Sequence, residues 1–185
     1  MAEYYLISQL PSLDGISDGT PLPITSERFA ELCLRFLGKK AQKEFLGLTL
    51  APSRIPEKSS SSLVERWNEG ERCLRIALAK LRADKMNKQF DAQIQSFPAG
   101  LMQAVRTAIE TESPMEAEKL LNKYRLDFLE TLRPADSFSE EFVFYYGLKL
   151  KLLERIRKFD SESGETAYRK IYDSIMNEDR TEVIQ

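Results

Sequence analysis

The stretch SFSEEFVFYYGLKLKLLERIRKFD, Ser137 to Asp160, decides the fold class. It opens with a helix-start signal, Ser137-Phe138-Ser139-Glu140. It then places Phe142, Tyr145, Tyr146, Lys149, Leu152, Leu153, Ile156 and Phe159 at spacings of three and four. That period predicts a helix with one apolar face and Lys149 at its margin. Lys151, Glu154, Arg155, Arg157 and Lys158 fall mostly on the other side. Such a helix must bury its stripe against something, and neither it nor the rest of the chain carries an obvious catalytic group.

Working outward from this stretch, the same period recurs. On the C-terminal side come a short turn, Asp160 to Gly164, and a last helix with Tyr168, Ile171, Tyr172 and Ile175. The tail beyond residue 177 reads as frayed. On the N-terminal side, Ser113-Pro114-Met115-Glu116 combines an N-cap, a proline at the first helical position and a capping-box glutamate. The helix it starts carries Leu120, Leu121, Tyr124, Phe128 and Leu132, and Arg133-Pro134 ends it. Pro98-Ala99-Gly100 precedes a helix from Leu101 to about Glu110. Ser62 and Glu65 form the capping box of a long helix from Leu63 to about Lys88, with Leu63, Trp67, Leu74, Leu78 and Leu81 on one side. Gly70 falls where an apolar residue is expected and either admits a neighbouring helix or weakens its own by about 1 kcal/mol. Arg66, Arg72, Arg75, Lys80 and Arg82 alternate with Glu65, Glu69 and Glu71, the pattern of a solvated face.

The prolines and serine run of PSRIPEKSSSS mark residues 52–62 as a linker. Before it, Thr25 or Ser26 caps a helix carrying Phe29, Leu32, Cys33, Phe36 and Leu37, which Gly38 stops; a second short helix runs through Lys43 to Leu46. The run Tyr4 to Leu10 is a short strand or the first turns of a helix, which periodicity alone does not separate. The fold class is therefore mainly α, a bundle of about six amphipathic helices. An N-terminal segment (1–51) and a helical body (63–177) flank the linker, and residues 178–185 form the tail.

Composition excludes several chemistries. The chain of 185 residues has no histidine, which removes Ser-His-Asp triads, Cys-His pairs and histidine-bearing metal sites. Cys33 and Cys73 occupy apolar helix positions and read as small buried hydrophobes. No Gly-rich phosphate loop occurs, and the carboxylate pairs Glu140-Glu141 and Glu116-Ala-Glu118 sit at helix starts, where the helix dipole favours them. The formal charge of −2 argues against a dominant nucleic-acid surface. No run is long and apolar enough for a membrane span, and the start lacks the pattern of a secretory signal. The expectation is a cytoplasmic protein with no cofactor, no metal and no enzymatic activity.

Both ends of the chain suggest a family. Tyr4-Tyr5-Leu6-Ile7-Ser8-Gln9-Leu10-Pro11-Ser12-Leu13 resembles the opening of an uncharacterised bacterial family encoded in V-type (archaeal-type) ATPase operons. Phe29-Ala30-Glu31-Leu32-Cys33 resembles the short helix that follows there. Tyr146-Gly147-Leu148-Lys149-Leu150-Lys151-Leu152-Leu153-Glu154-Arg155, with Phe159-Asp160 and Gly164, resembles its closing helix and turn. That family is distantly similar to the C-type subunit of V-type ATPases (d-type in the eukaryotic enzyme), an all-helical, non-catalytic socket between rotor shaft and proteolipid ring. The resemblance implies a stalk or assembly role, with V-type ATPase subunits as protein partners and a location peripheral to the inner membrane. The chain is too short for the full set of repeated lobes of that socket. An accessory or assembly role is equally compatible, and the alternative is a general helical adaptor unrelated to the ATPase. The candidate partner-binding residues are Tyr4, Tyr5, Tyr145, Tyr146, Lys149, Arg155 and Arg157.

Overall fold

The computed structural model describes residues 2–16, 20–90, 97–98, 100–158, 169 and 172. Among these residues the chain is mainly α, with no strand and seven helices: α1 (Ala2–Ser8), α2 (Ser26–Phe36), α3 (Lys39–Leu46), α4 (Ser62–Lys85), α5 (Leu101–Glu110), α6 (Pro114–Thr131) and α7 (Glu140–Arg157). The expected turn at Asp160 to Gly164, the tail, and the last helix apart from Arg169 and Tyr172 lie outside the described residues.

Local chemistry sets the helix starts. Thr25, Ser61, Ser113 and Ser139 each take the N-cap position and accept a hydrogen bond from the backbone N–H three residues on. The long helix thus starts one residue earlier than its sequence signal, capped by Ser61, and Glu65 reaches back to the backbone N–H of Ser59 instead of Ser62. Gly38 does not stop α2 in a left-handed turn; its φ is −67° and it precedes α3 as N-cap. The N-terminal run is a helix, because Leu6 is buried with Ile7 and Leu10 partly buried beside it, a helical and not an alternating pattern.

The decisive element is α7. It packs against α2, α3, α4 and α6, and every residue from Val143 to Leu150 is buried, as is Leu152. One stripe facing a core was expected; the helix is enclosed on all sides, because helices from both halves of the chain surround it. Gly147 makes room for this. A Cβ there would lie 3.1 Å from the Phe29 ring and 3.2 Å from Leu48.

The charged side chains of α7 are correspondingly not a solvated face. The Glu154 carboxylate accepts from the Ser26 backbone N–H (3.0 Å) and hydroxyl (2.6 Å) at the start of α2. Glu141 accepts from Ser61 Oγ (2.8 Å) and from the backbone N–H groups of Ser62 and Leu63 (both 3.1 Å) at the start of α4. Lys151 donates to the Leu48 carbonyl just beyond α3. The N–H groups of Ser26, Ser62 and Leu63 are orphan donors that helix starts leave unsatisfied, and each carboxylate also meets the positive end of a helix dipole.

Two apolar clusters result. The larger joins α1, α2, α3, the first turns of α4, α6 and α7, and so spans both sides of residues 52–62. The smaller joins Cys73, Leu74 and Ala77 of α4 to Leu101, Val105 and Ala108 of α5 and Leu121 of α6. At 24 residues α4 is about 36 Å long and runs through both. Gly70 lies between them, where a Cβ would meet Phe128 Cε1 of α6 at 2.2 Å, so it serves the close approach of a neighbouring helix. Trp67, Phe128 and Tyr124 stack in sequence there, with centroids 6.3 and 6.4 Å apart. The segment before α4 is exposed from Ser53 to Lys58, but Pro52 is buried and Ser59 and Ser60 both bond Glu44 of α3.

The mixed-sign face expected on α4 is only partly solvated. Glu71 is buried and pairs with the buried Arg125 of α6 at 2.7 Å. Arg125 also reaches Glu118 (3.3 Å) and Asn122 (2.9 Å), and Glu118 in turn holds Arg155 of α7. The apolar residues of α6 do not reveal this ionic network: Leu120 is exposed, while Asn122 and Arg125 are buried.

Candidate docking face at the junction of α1 and α7

Seen from the candidate residues, α7 and the N-terminal segment meet in two layers. The inner layer is an ionic clasp. Lys149 Nζ lies 2.5 Å from Asp14, 2.6 Å from Glu130 and 3.3 Å from the Tyr145 hydroxyl. Tyr145 donates to Glu130 at 2.6 Å, and Tyr146 donates to the Pro11 carbonyl at 2.8 Å. Arg133 approaches Asp14 from the other side at 3.5 Å. The N-terminal loop is thereby tied to α7 and to the end of α6, beside a pocket walled by Ile7, Leu10, Phe142 and Tyr145.

Electrostatics follows from this geometry. Burial alone would depress the Lys149 ammonium, but its hydrogen bonds to Asp14 and Glu130 outweigh burial and hold its pKa above the ordinary lysine value. The Asp14 carboxyl is lowered, chiefly by its hydrogen bond to Lys149. Burial opposes the lowering of Glu130, which Lys149 and Tyr145 bring about by hydrogen bonding. Tyr145 is pushed up to about 12 by burial and by its bond to Glu130, and burial likewise raises Tyr146. Burial pushes the Cys33 thiol up to about 12 and raises Cys73. At neutral pH the lysine is charged, and these phenols and thiols are protonated. The clasp fastens the N-terminal loop to α7 and the end of α6.

The outer layer is aromatic. Tyr4 stacks on Phe138 with centroids 4.7 Å apart, and Tyr5 meets Tyr4 edge-on at 6.3 Å. Tyr4, Phe138 and Tyr5 are exposed, at 56%, 50% and 63% respectively. Phe138 precedes the N-cap Ser139 and is fixed by its backbone N–H donating to Asp136 at 2.9 Å.

The structure therefore divides the candidate residues. Tyr4 and Tyr5 stand at the surface. Tyr145, Tyr146 and Lys149 are brought together but buried, with their polar atoms occupied internally. Arg155 is held by Glu118, and Arg157 donates to the Thr20 carbonyl. Phe138 is the surface residue that the periodic reading missed, because it falls outside the α7 stripe. Its position just before an N-cap, where an apolar residue commonly staples the chain, was the available signal.

A family model described as "Protein of unknown function (DUF2764)" matches residues 99–179. The match takes in α5, α6 and α7, and with them Phe138 and the clasp residues Glu130, Tyr145 and Lys149, but not Tyr4, Tyr5 or Asp14. No curated protein and no solved structure matches the chain. No helix among the described residues is long and apolar enough to cross a membrane.

Proposed function

We propose that the chain is a non-catalytic helical docking protein, a subunit or an accessory or assembly protein of a bacterial V-type ATPase, placed at the junction of central stalk and proteolipid ring. The observation that carries the docking part is the exposed ring cluster of Tyr4, Tyr5 and Phe138, beside the clasp that ties the N-terminal loop to α7. Contiguous exposed aromatic rings on a rigid base are the usual anchors of protein interfaces. Glu3, Asp136 and Glu140, next to them in sequence, supply the polar rim such an interface needs. Stiffness also supports the reading. α7 ties the ends of α2 and α4 and the segment after α3 by side chains rather than by apolar contact alone, so a load on one helix reaches the others.

The ATPase part rests on the resemblance of the two end stretches to a family of ATPase operons. Affinity capture of the tagged chain from its native cells in mild detergent, followed by mass spectrometry, tests it. Recovery of catalytic, stalk or proteolipid subunits supports the assignment. Their absence from an extract that contains the intact ATPase leaves a general helical adaptor as the reading.

A further inference from the structure

A second surface lies on the opposite kind of chemistry. The groove between residues 52–54 and α4 is lined by Pro52, Arg54, Arg72, Arg75, Ile76, Ala79 and Phe90, and encloses about 440 Å³. No acid lines it among the described residues, although the chain as a whole carries a net charge of −2. Arg72, Arg75, Ile76 and Ala79 follow one another at helical spacing, so one stripe of α4 passes from cationic to apolar along the groove. Arg75 is held in place by donating to the Pro52 (3.1 Å) and Leu50 (3.3 Å) carbonyls and lies 4.0 Å from the buried Glu71 carboxylate, so its charge is partly met from within, and Arg54 and Arg72 are the cations the groove offers. Arg72 is largely covered, and its pairing partner Glu69 stands mostly in solvent.

We infer that this groove receives an acidic, apolar segment of a partner protein, with carboxylates on Arg54 and Arg72 and apolar side chains against Ile76, Ala79 and Phe90. Charge complementarity selects the acid, since guanidinium groups pair carboxylates in fixed geometry. The apolar walls select against a phosphate backbone, which would run on along α4 past Glu65 and Glu69. The inference rests on the docking reading above and names the chemistry of one partner surface.

The test is a selection of short random peptides displayed on phage against the intact protein, scored on the wild type and on the Arg54→Glu, Arg72→Glu double variant. The expected result is enrichment of peptides that place Asp or Glu beside Leu, Ile or Phe. Their affinity falls about tenfold or more in the double variant at an unchanged melting temperature. Arg54→Glu alone, at an exposed position, gives the same direction if the double variant is destabilised. Peptides without acidic enrichment, peptides indifferent to the arginines, or no enriched peptide at all would overturn the inference. Successful capture of partners from native cells would still leave the docking reading standing in that case.

Discussion

The ammonium of Lys149 lies 2.5 Å from the carboxylate of Asp14, a contact across 135 residues of sequence that fastens the N-terminal loop to the central helix. Glu130 holds the same ammonium at 2.6 Å. Lys149→Met keeps the stem and removes the charge; Asp14 and Glu130 then keep only Arg133 as a counter-charge, at 3.5 and 3.8 Å, and Glu130 its bond from Tyr145. Both carboxylates are partly exposed, so water screens part of the loss. The expected cost is about 2 kcal/mol, below the cost of breaking a fully buried pair, read from urea unfolding. A loss under half of that would show that the clasp is ornamental to stability.

The same groups set a pH profile. Asp14 and Glu130 have folded pKa values below their ordinary 3.8 and 4.5. Their contribution is present above those values and is lost as pH falls through the lowered ones. Lys149 is raised above its ordinary 10.5, and Tyr145 from 10.0 to about 12. Their contribution is complete below about pH 10 and disappears as pH rises through the folded values. Stability should therefore fall at both extremes, with a plateau between, and Lys149→Met should shallow the alkaline limb while leaving the part due to Tyr145. Identical alkaline limbs in the two proteins would contradict the assignment.

Gly70→Ala tests the crossing of α4 and α6. The added methyl would lie 2.2 Å from Phe128 Cε1, so the ring that stacks between Trp67 and Tyr124 must move. Helix propensity gains about 1 kcal/mol from the change, while overpacking costs about 1–3 kcal/mol. The balance is expected to be destabilising, with a change in tryptophan fluorescence as the stack is displaced. A more stable variant with unchanged fluorescence would show that the ring yields freely.

Arg125→Met addresses the buried pair with Glu71. Removing the guanidinium leaves the buried Glu71 carboxylate with only Arg75, at 4.0 Å, as a counter-charge, and the expected cost is about 3 kcal/mol, the lower end for breaking a buried pair. The double variant Arg125→Met with Glu71→Leu should recover much of that loss, since an apolar pair of similar volume avoids the desolvation of both charges. Double-variant stability no better than that of the single variant would contradict this reading.

The elements were legible where the signal is local. Ser113 with Pro114 caps the helix it announces, Thr25 proves to be the cap of the Thr25 or Ser26 alternatives, and the Ser137-to-Glu140 signal marks the start of α7 with Ser139 as the cap, because an N-cap hydrogen bond spans only three residues. The enclosure of α7 was partly written in its unbroken apolar run from Val143 to Leu148, which periodicity divides into a stripe and a back. The roles of Glu141 and Glu154 were not legible. Each caps a helix 80 or 128 residues away, and a surface glutamate has the same local pattern. For the same reason Glu71 and Arg125 looked solvated or unremarkable, although each is the other's buried partner. At the candidate site, Tyr4 and Tyr5 were legible as candidate contacts, but their joining with Phe138 was not, because that ring lies 134 residues along the chain from Tyr4.

The account stands or falls on whether the aromatic cluster docks a protein. Tyr4→Ser, Tyr5→Ser and Phe138→Ser together change three rings that are each at least half exposed, so the folded chain should persist. The decisive measurement is quantitative capture by the tagged wild-type and triple-variant chains expressed at equal level in native cells, with unfolding of both followed in vitro. The account predicts that V-type ATPase subunits recovered with the wild type fall by about tenfold or more in the variant, at nearly unchanged stability. Equal recovery with both chains, or no ATPase subunit with either, would contradict it.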